Sequence, residues 1–213
     1  MASIKHTRGV LDLTFMEIDG EEKLADQIRA ESNVQIRHPS PRCTRAANAA
    51  TANAEKTSMG GVASKTLQPE VVKAIRLSNN ELTKMETLVG PMLANIDTRE
   101  IQWLDLSFNQ ISSLGSGESI SAAFPNVTTI YLHANKISRL SQLKNLKHFP
   151  RLKSLSLYGN PIEEHKHYRN YAMYHCPKLG QFDSSPVTGS ERVSNAVWAK
   201  NFRKTLHKED DDY

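Results

Sequence analysis

Leu155–Tyr171 reads LSLYGNPIEEHKHYRNY. Leu155 and Leu157 alternate with Ser156 and Tyr158, the alternation stops at Gly159-Asn160-Pro161, and charge and aromatics follow. Alternating apolar residues that end abruptly describe a short strand running into a turn. The same pattern occurs three times upstream. Val72, Ile75, Leu77, Asn80 and Leu82 form one copy. Ile101, Leu104, Leu106, Asn109 and Ile111 form the next, then Val127, Ile130, Leu132, Asn135 and Ile137. Leu152, Leu155, Leu157, Asn160 and Ile162 complete the set. Successive asparagines lie 29, 26 and 25 residues apart.

Five matched positions at this period are the signature of leucine-rich repeats. An isolated copy cannot bury its apolar face, so stacked copies share one core. The expected fold is an α/β solenoid. A short parallel sheet lines the concave side and helices line the convex side. A helical cap follows the last repeat and an extended arm precedes the first. The asparagine amide is suited to backbone groups left unpaired where the chain leaves the strand.

The chain has 213 residues, 38% of them hydrophobic, with a mean hydropathy of −0.51. Its packed core must therefore be concentrated, and the repeats at 67–162 are where it falls. The formal net charge is +4 and the pI about 9.0. No basic run marks a nucleic-acid groove, so no nucleic-acid partner is expected. No apolar run approaches the roughly 18 residues of a membrane span. The N-terminus lacks the apolar centre of a signal peptide, and Cys43 and Cys176 do not make the cysteine-rich caps of secreted repeat proteins. A cytoplasmic location follows as an expectation.

Four regions are expected: an arm at 1–66, the repeats at 67–162, a cap at 163–190, and a helix with an acidic tail at 191–213. Within the arm, Val10–Phe15 alternates and suits an added strand or a docked segment. Gly20–Ser32 suits a short helix with Leu24, Ala25 and Ile28 on one side. Residues 38–64 are poor in large apolar side chains and read as disordered in isolation. In the repeats, Ser119–Phe124 suits a helix, as do Leu140, Leu143, Leu146 and Phe149 on an outer wall. In the cap, a helix is expected over Glu164–Tyr174, with Leu179 and Phe182 forming a final half-repeat. A last helix is expected from Thr188 to Leu206. On it Val193 and Val197 share a side, and Trp198, Phe202 and Leu206 line up.

No catalytic constellation stands out. Gly115-Ser116-Gly117 has no lysine partner for a phosphate loop. His165, His167, His175 and Cys176 do not match a zinc spacing. No enzyme activity, cofactor or metal is expected. The inner wall is the better candidate. Outward strand positions read Ala74, Arg76, Ser78; Trp103, Asp105, Ser107; Thr129, Tyr131, His133; and Ser154, Ser156, Tyr158. Trp103, Tyr131, His133 and Tyr158, rimmed by Arg76 and Asp105, make a candidate partner-binding strip, since aromatics and arginine are enriched at protein contacts. Phe108 is expected in the core, and Asp105 and His133 are expected to be close.

The copies LDLSFNQI, LYLHANKI and LSLYGNPI are similar to the short cytosolic class of these repeats, as in the protein phosphatase 1 regulator called suppressor-of-dis2 number 22. That likeness implies, as an alternative function, a soluble regulatory subunit binding a phosphatase 1-type catalytic subunit. Four repeats offer a smaller platform than that regulator's. The broader set LDLTFMEI, IQWLDLSFNQI, GNPIEEHKHYRNY, FDSSPVTGSER and AVWAKNF resembles the leucine-rich repeat-containing protein 51 family over about 10–18 and 72–202. The resemblance implies a non-enzymatic structural component of the ciliary or flagellar axoneme. It would sit on the doublet microtubule or at a radial-spoke or dynein-regulatory base. The implied partners are other axonemal proteins, tubulin or microtubule-associated complexes, within a larger hetero-complex.

Overall fold

The structure is a computed structural model that describes residues 9–35 and 71–202. Strands β1 (Val10–Asp12), β2 (Ala74–Arg76), β3 (Trp103–Asp105), β4 (Thr129–Tyr131), β5 (Ser154–Ser156) and β6 (Gln181–Phe182) lie side by side in sequence order, all parallel. β7 (Ser185–Pro186) closes the edge antiparallel to β6. The register is uniform: Leu11, Ile75, Leu104, Ile130, Leu155 and Phe182 stand in one row. Each connection runs outside the sheet. Helix α1 (Glu21–Gln35) backs the first strand and α2 (Val89–Asn95) the second. Helix α3 (Gly117–Ala123) backs β3, and a 3-10 helix at Leu140–His148 backs β4. Helix α4 (Tyr168–His175) follows β5, and α5 (Gly189–Phe202) ends the described chain. This is the leucine-rich-repeat solenoid that the periodicity predicts.

The repeat positions are core positions. Leu77, Leu106, Leu132 and Leu157 are fully buried, as are Leu82, Ile111, Ile137 and Ile162. One hydrophobic cluster runs from Leu11 to Phe182 without a break. At roughly 25 cal/mol per Å² of apolar surface, this shared cluster is the main term holding the short strands together. Two- and three-residue strands have little stability of their own.

The asparagines form a ladder between repeats. Asn109 Nδ2 donates to Leu106 O at 3.1 Å and to Leu77 O of the preceding repeat at 2.9 Å. Its Oδ1 accepts from Leu82 N at 3.1 Å. Asn135 and Asn160 repeat the scheme with Leu132, Leu106 and Ile111, and with Leu157, Leu132 and Ile137. The residue before each asparagine turns the chain off the strand in the left-handed region. Asn79, Phe108, Ala134 and Gly159 have φ of +57°, +53°, +54° and +70°. Only glycine takes this conformation freely. Its recurrence at one repeat position shows that stacking over-determines the turn.

The expected extended arm over 1–66 is corrected for residues 9–35, which form an additional repeat. Leu11, Leu13, Ile18, Leu24 and Ile28 are all buried in the common core. Met16 stands where later repeats carry asparagine, which hides this unit from the pattern. Asn80 of the next repeat supplies the missing groups. Its Oδ1 accepts from Met16 N and Ile18 N, and its Nδ2 donates to Leu13 O at 2.9 Å. Residues 38–64, the acidic tail and Leu206 lie outside the described residues.

The cap departs from expectation in its boundaries. A 3-10 helix at Pro161–Glu164 precedes α4, which starts at Tyr168 rather than Glu164. α5 begins at Gly189 and is fastened to the cap, so 190/191 is no boundary. Arg169 pairs with Glu191, its Nη2 lying 3.1 Å from Oε2, and Asn170 Nδ2 donates to Asn195 Oδ1 at 3.0 Å. Asp183 ends the ladder as an acceptor. Leu157 N and Tyr158 N donate to Oδ1, and Tyr168 OH donates to Oδ2 at 3.0 Å. A carboxylate suits this position because all three contacts are donors.

Cys176 is buried beneath the cap, where burial pushes its thiol up to about 12. In the unfolded chain it ionises near pH 8.5. Stability is therefore expected to fall as pH rises from there towards 12, because the unfolded state releases its proton first. In a Cys43→Ser background, a disulfide reagent at pH 8 is expected to find no fast-reacting thiol in the folded protein and one in denaturant. A fast native reaction would show that the cap does not seal Cys176.

Candidate partner-binding face

The outward strand positions fall into columns across the concave wall. Asp12, Arg76, Asp105, Tyr131 and Ser156 share one row of the register, and Ala74, Trp103, Thr129 and Ser154 the neighbouring one. At the N-terminal end Arg76 sits between carboxylates. Nη1 lies 3.1 Å from Asp12 Oδ2 and Nε 3.7 Å from Asp105 Oδ2. The same guanidinium lies over Trp103, 5.3 Å from the ring centroid. It is held by charge on two sides and by the ring's negative face on a third.

An unbroken aromatic run continues from there. Trp103 meets Tyr131 edge-on at 5.6 Å, and Tyr131 is 6.0 Å from His133. His133 stacks on Tyr158 at 4.6 Å with the planes 8° apart. The His133 ring also contacts Ser156 Oγ through Nδ1 at 3.3 Å. Burial lowers the His133 pKa, against the opposing pull of Asp105 and Asp183. The ring is thus neutral at neutral pH and serves as an aromatic surface.

All six candidates, Arg76, Trp103, Asp105, Tyr131, His133 and Tyr158, lie on this one wall. Their roles differ. Tyr158 is exposed, while Arg76, Trp103, Tyr131 and His133 are half-buried. Asp105 is buried and already engaged, with Oδ1 accepting from Ser107 Oγ at 2.6 Å. It positions Arg76 and presents no carboxylate of its own. Ala74, Ser78, Ser107 and Ser156 are buried too, covered by larger neighbours in adjacent columns.

Phe108 corrects the sequence reading. It is 53% exposed, and its ring meets His133 edge-on at 5.3 Å. The left-handed turn at this position swings the side chain out of the core, so Phe108 extends the strip at the strand ends. A clue lay in the sequence: the equivalent residues Asn79, Ala134 and Gly159 are polar or small, which is the profile of an uncovered position.

Among the described residues no group of histidine, cysteine and carboxylate side chains is placed to hold a metal ion. Among them, too, no helix is long and apolar enough to cross a membrane.

Comparison with known proteins agrees with this architecture. A leucine-rich-repeat family model matches residues 65–209. Leucine-rich repeat-containing protein 51 of Bos taurus is 37% identical over 131 residues, covering 61% of this chain and 67% of the bovine protein. The chain belongs to the leucine-rich repeat-containing protein 51 family. The human member is 36% identical over 121 residues, 57% of this chain and 60% of its own length. The chain thus spans under two thirds of that relative. A more distant relative is human U2 small nuclear ribonucleoprotein A', 32% identical over 119 residues, which are 56% of this chain and 43% of that protein. Among solved structures, the Drosophila melanogaster SNF/U2A' complex contains a chain that superposes with a TM-score of 0.57 at 27% identity. The match covers 64% of this chain and 75% of that one. Family and fold together make this protein a protein–protein interaction scaffold.

Proposed function

We propose that the protein is a non-catalytic scaffold of the ciliary or flagellar axoneme, holding one protein partner on its concave aromatic strip. The observation that carries the strip's role is the run Trp103, Tyr131, His133, Tyr158 and Phe108, with Tyr158 and Phe108 left exposed. Large rigid aromatics gain contact area at low entropic cost and dominate binding where they cluster. The related U2A' chain is found in a complex with SNF, which supports a protein partner for this solenoid. The axonemal setting, with tubulin, microtubule-associated complexes or other axonemal proteins as neighbours, rests on the resemblance to the protein 51 family.

The test is fractionation of a tagged copy in a flagellated cell by detergent and then high salt. Retention with demembranated axonemes is expected. Replacing Trp103 and Tyr131 together by alanine is expected to release the protein, lowering retention about tenfold, while its thermal unfolding stays cooperative. Undiminished retention of a folded double variant would overturn the concave assignment. A wild-type protein that leaves entirely with detergent would overturn the axonemal one. It would then favour a soluble subunit of a phosphatase 1-type enzyme, to be sought by pull-down.

A further inference from the structure

The charge of this solenoid is concentrated in one repeat. From the end of β4 to the start of β5, Leu132–Lys153, the chain carries Lys136, Arg139, Lys144, Lys147, Arg151 and Lys153 and no carboxylate. These six cations exceed the formal net charge of +4 for the whole protein. The equivalent path of the preceding repeat, Leu106–Thr128, has Glu118 and no lysine or arginine. The path before that, Leu77–Gln102, carries Glu81, Glu86, Asp97 and Glu100 against Lys84 and Arg99. The change of sign is confined to the β4–β5 connection of a single repeat.

Lys136, Arg139, Lys147, Arg151 and Lys153 are all exposed. Among the described residues none of the five makes an ion pair, whereas Arg76, Arg99 and Arg169 all do. The fold gives these cations no internal task, since the core under them is made by Leu143, Leu146 and Phe149. Like charges gathered in one connection repel one another and raise the local potential. An anionic partner would relieve that repulsion.

We infer that this cationic belt along the β4–β5 connection binds an acidic polypeptide segment, a partner site separate from the concave aromatic strip. A polypeptide fits better than the other polyanions. The belt shows no exposed large apolar residue to enter a bilayer; the exposed ones lie at Phe15, Val71, Leu93, Phe108, Tyr158, Tyr174, Val193 and Val197. It offers no fully exposed aromatic face for bases to stack on, since Phe149 is buried, His148 is half-buried and His133 belongs to the concave strip. What remains is spaced point charges on a rigid wall, suited to a run of aspartate and glutamate carboxylates. Such binding depends on charge pairing and is screened by salt.

The test is fluorescence anisotropy of labelled poly-L-glutamate titrated with the full chain. Saturable binding is expected at low salt, weakening about tenfold or more at 300 mM salt. Neutralising the belt with Lys136→Gln, Arg139→Gln and Lys147→Gln is expected to weaken it about tenfold, with circular dichroism unchanged. The remote neutralisations Lys73→Gln and Lys200→Gln are expected to leave it within about twofold. Absence of binding at low salt, or equal weakening by the remote variants, would overturn the inference. So would equal or tighter binding of polyuridylate RNA or of phosphatidylserine vesicles through the same residues. Trp103→Ala leaves belt binding intact if the two sites are independent, so failure of the concave assignment and of this one are read separately.

Discussion

Replacing Leu132 by aspartate is expected to abolish the folded solenoid. Leu132 is fully buried, in the row of Leu77, Leu106 and Leu157 at the centre of the shared core. Losing its apolar contacts costs about 2–5 kcal/mol. A carboxylate there has no charged partner, and it must either remain protonated or carry a large desolvation penalty. The combined loss reaches the whole stability of an ordinary domain, about 5–15 kcal/mol. Because each repeat contacts only its neighbours, the damage separates β1–β3 from β5 and β6. Far-UV circular dichroism should show loss of structure at 25 °C, while Leu132→Met keeps a cooperative transition, costing under about 1.5 kcal/mol. An aspartate variant whose urea midpoint lay within about 0.5 M of the parent would mean that the core tolerates a break at its centre.

Asn135→Ala is expected to be the next most damaging change, although it removes no large apolar side chain. Nδ2 of Asn135 donates to Leu106 O and Leu132 O, both at 2.9 Å, and Oδ1 accepts from Ile111 N at 2.9 Å. Alanine orphans Ile111 N, while Leu106 O and Leu132 O each keep the amide of a neighbouring asparagine, Asn109 and Asn160; one buried group left unsatisfied costs about 1–3 kcal/mol. With the two further hydrogen bonds lost, a total of about 2–4 kcal/mol is expected by urea denaturation. Asn135→Asp distinguishes hydrogen bonding from packing. Its carboxylate keeps the acceptor for Ile111 N but turns a second oxygen towards two carbonyls. Its pKa is therefore raised in the folded state, so this variant should gain stability as pH falls from 7 towards 4. A shape-matched replacement that lost nothing would show the ladder to be dispensable.

Both changes strike positions read from the sequence, and this marks what was legible there. The spacing of Asn80, Asn109, Asn135 and Asn160, with leucines before each, specified strand, turn, core face and stacking. A repeat is a local pattern copied along the chain, and every copy meets the same physical demand. The half-repeat at Leu179 and Phe182 followed from the same logic, because the last core layer needs a lid. Trp103, Tyr131, His133 and Tyr158 could be placed on one wall from strand alternation alone.

Other features depended on contacts between repeats. The unit at residues 9–35 has Met16 in place of asparagine and is separated from the second repeat by residues 36–70. Only the pairing of β1 with β2, and the reach of Asn80 back to Met16 and Ile18, identify it as a repeat. Asp183 is an ordinary acidic residue in the sequence and becomes the end of the ladder once Tyr168 and Leu157 stand beside it. Phe108 reads as core from its repeat position just before Asn109, yet a left-handed backbone angle turns it outward. The sequence by itself determined which residues face inward and outward along each strand, since that follows from periodicity within one repeat. Tertiary structure decided how far each outward residue is exposed, which of them touch, and where the solenoid begins, because those depend on the size and conformation of side chains one repeat away.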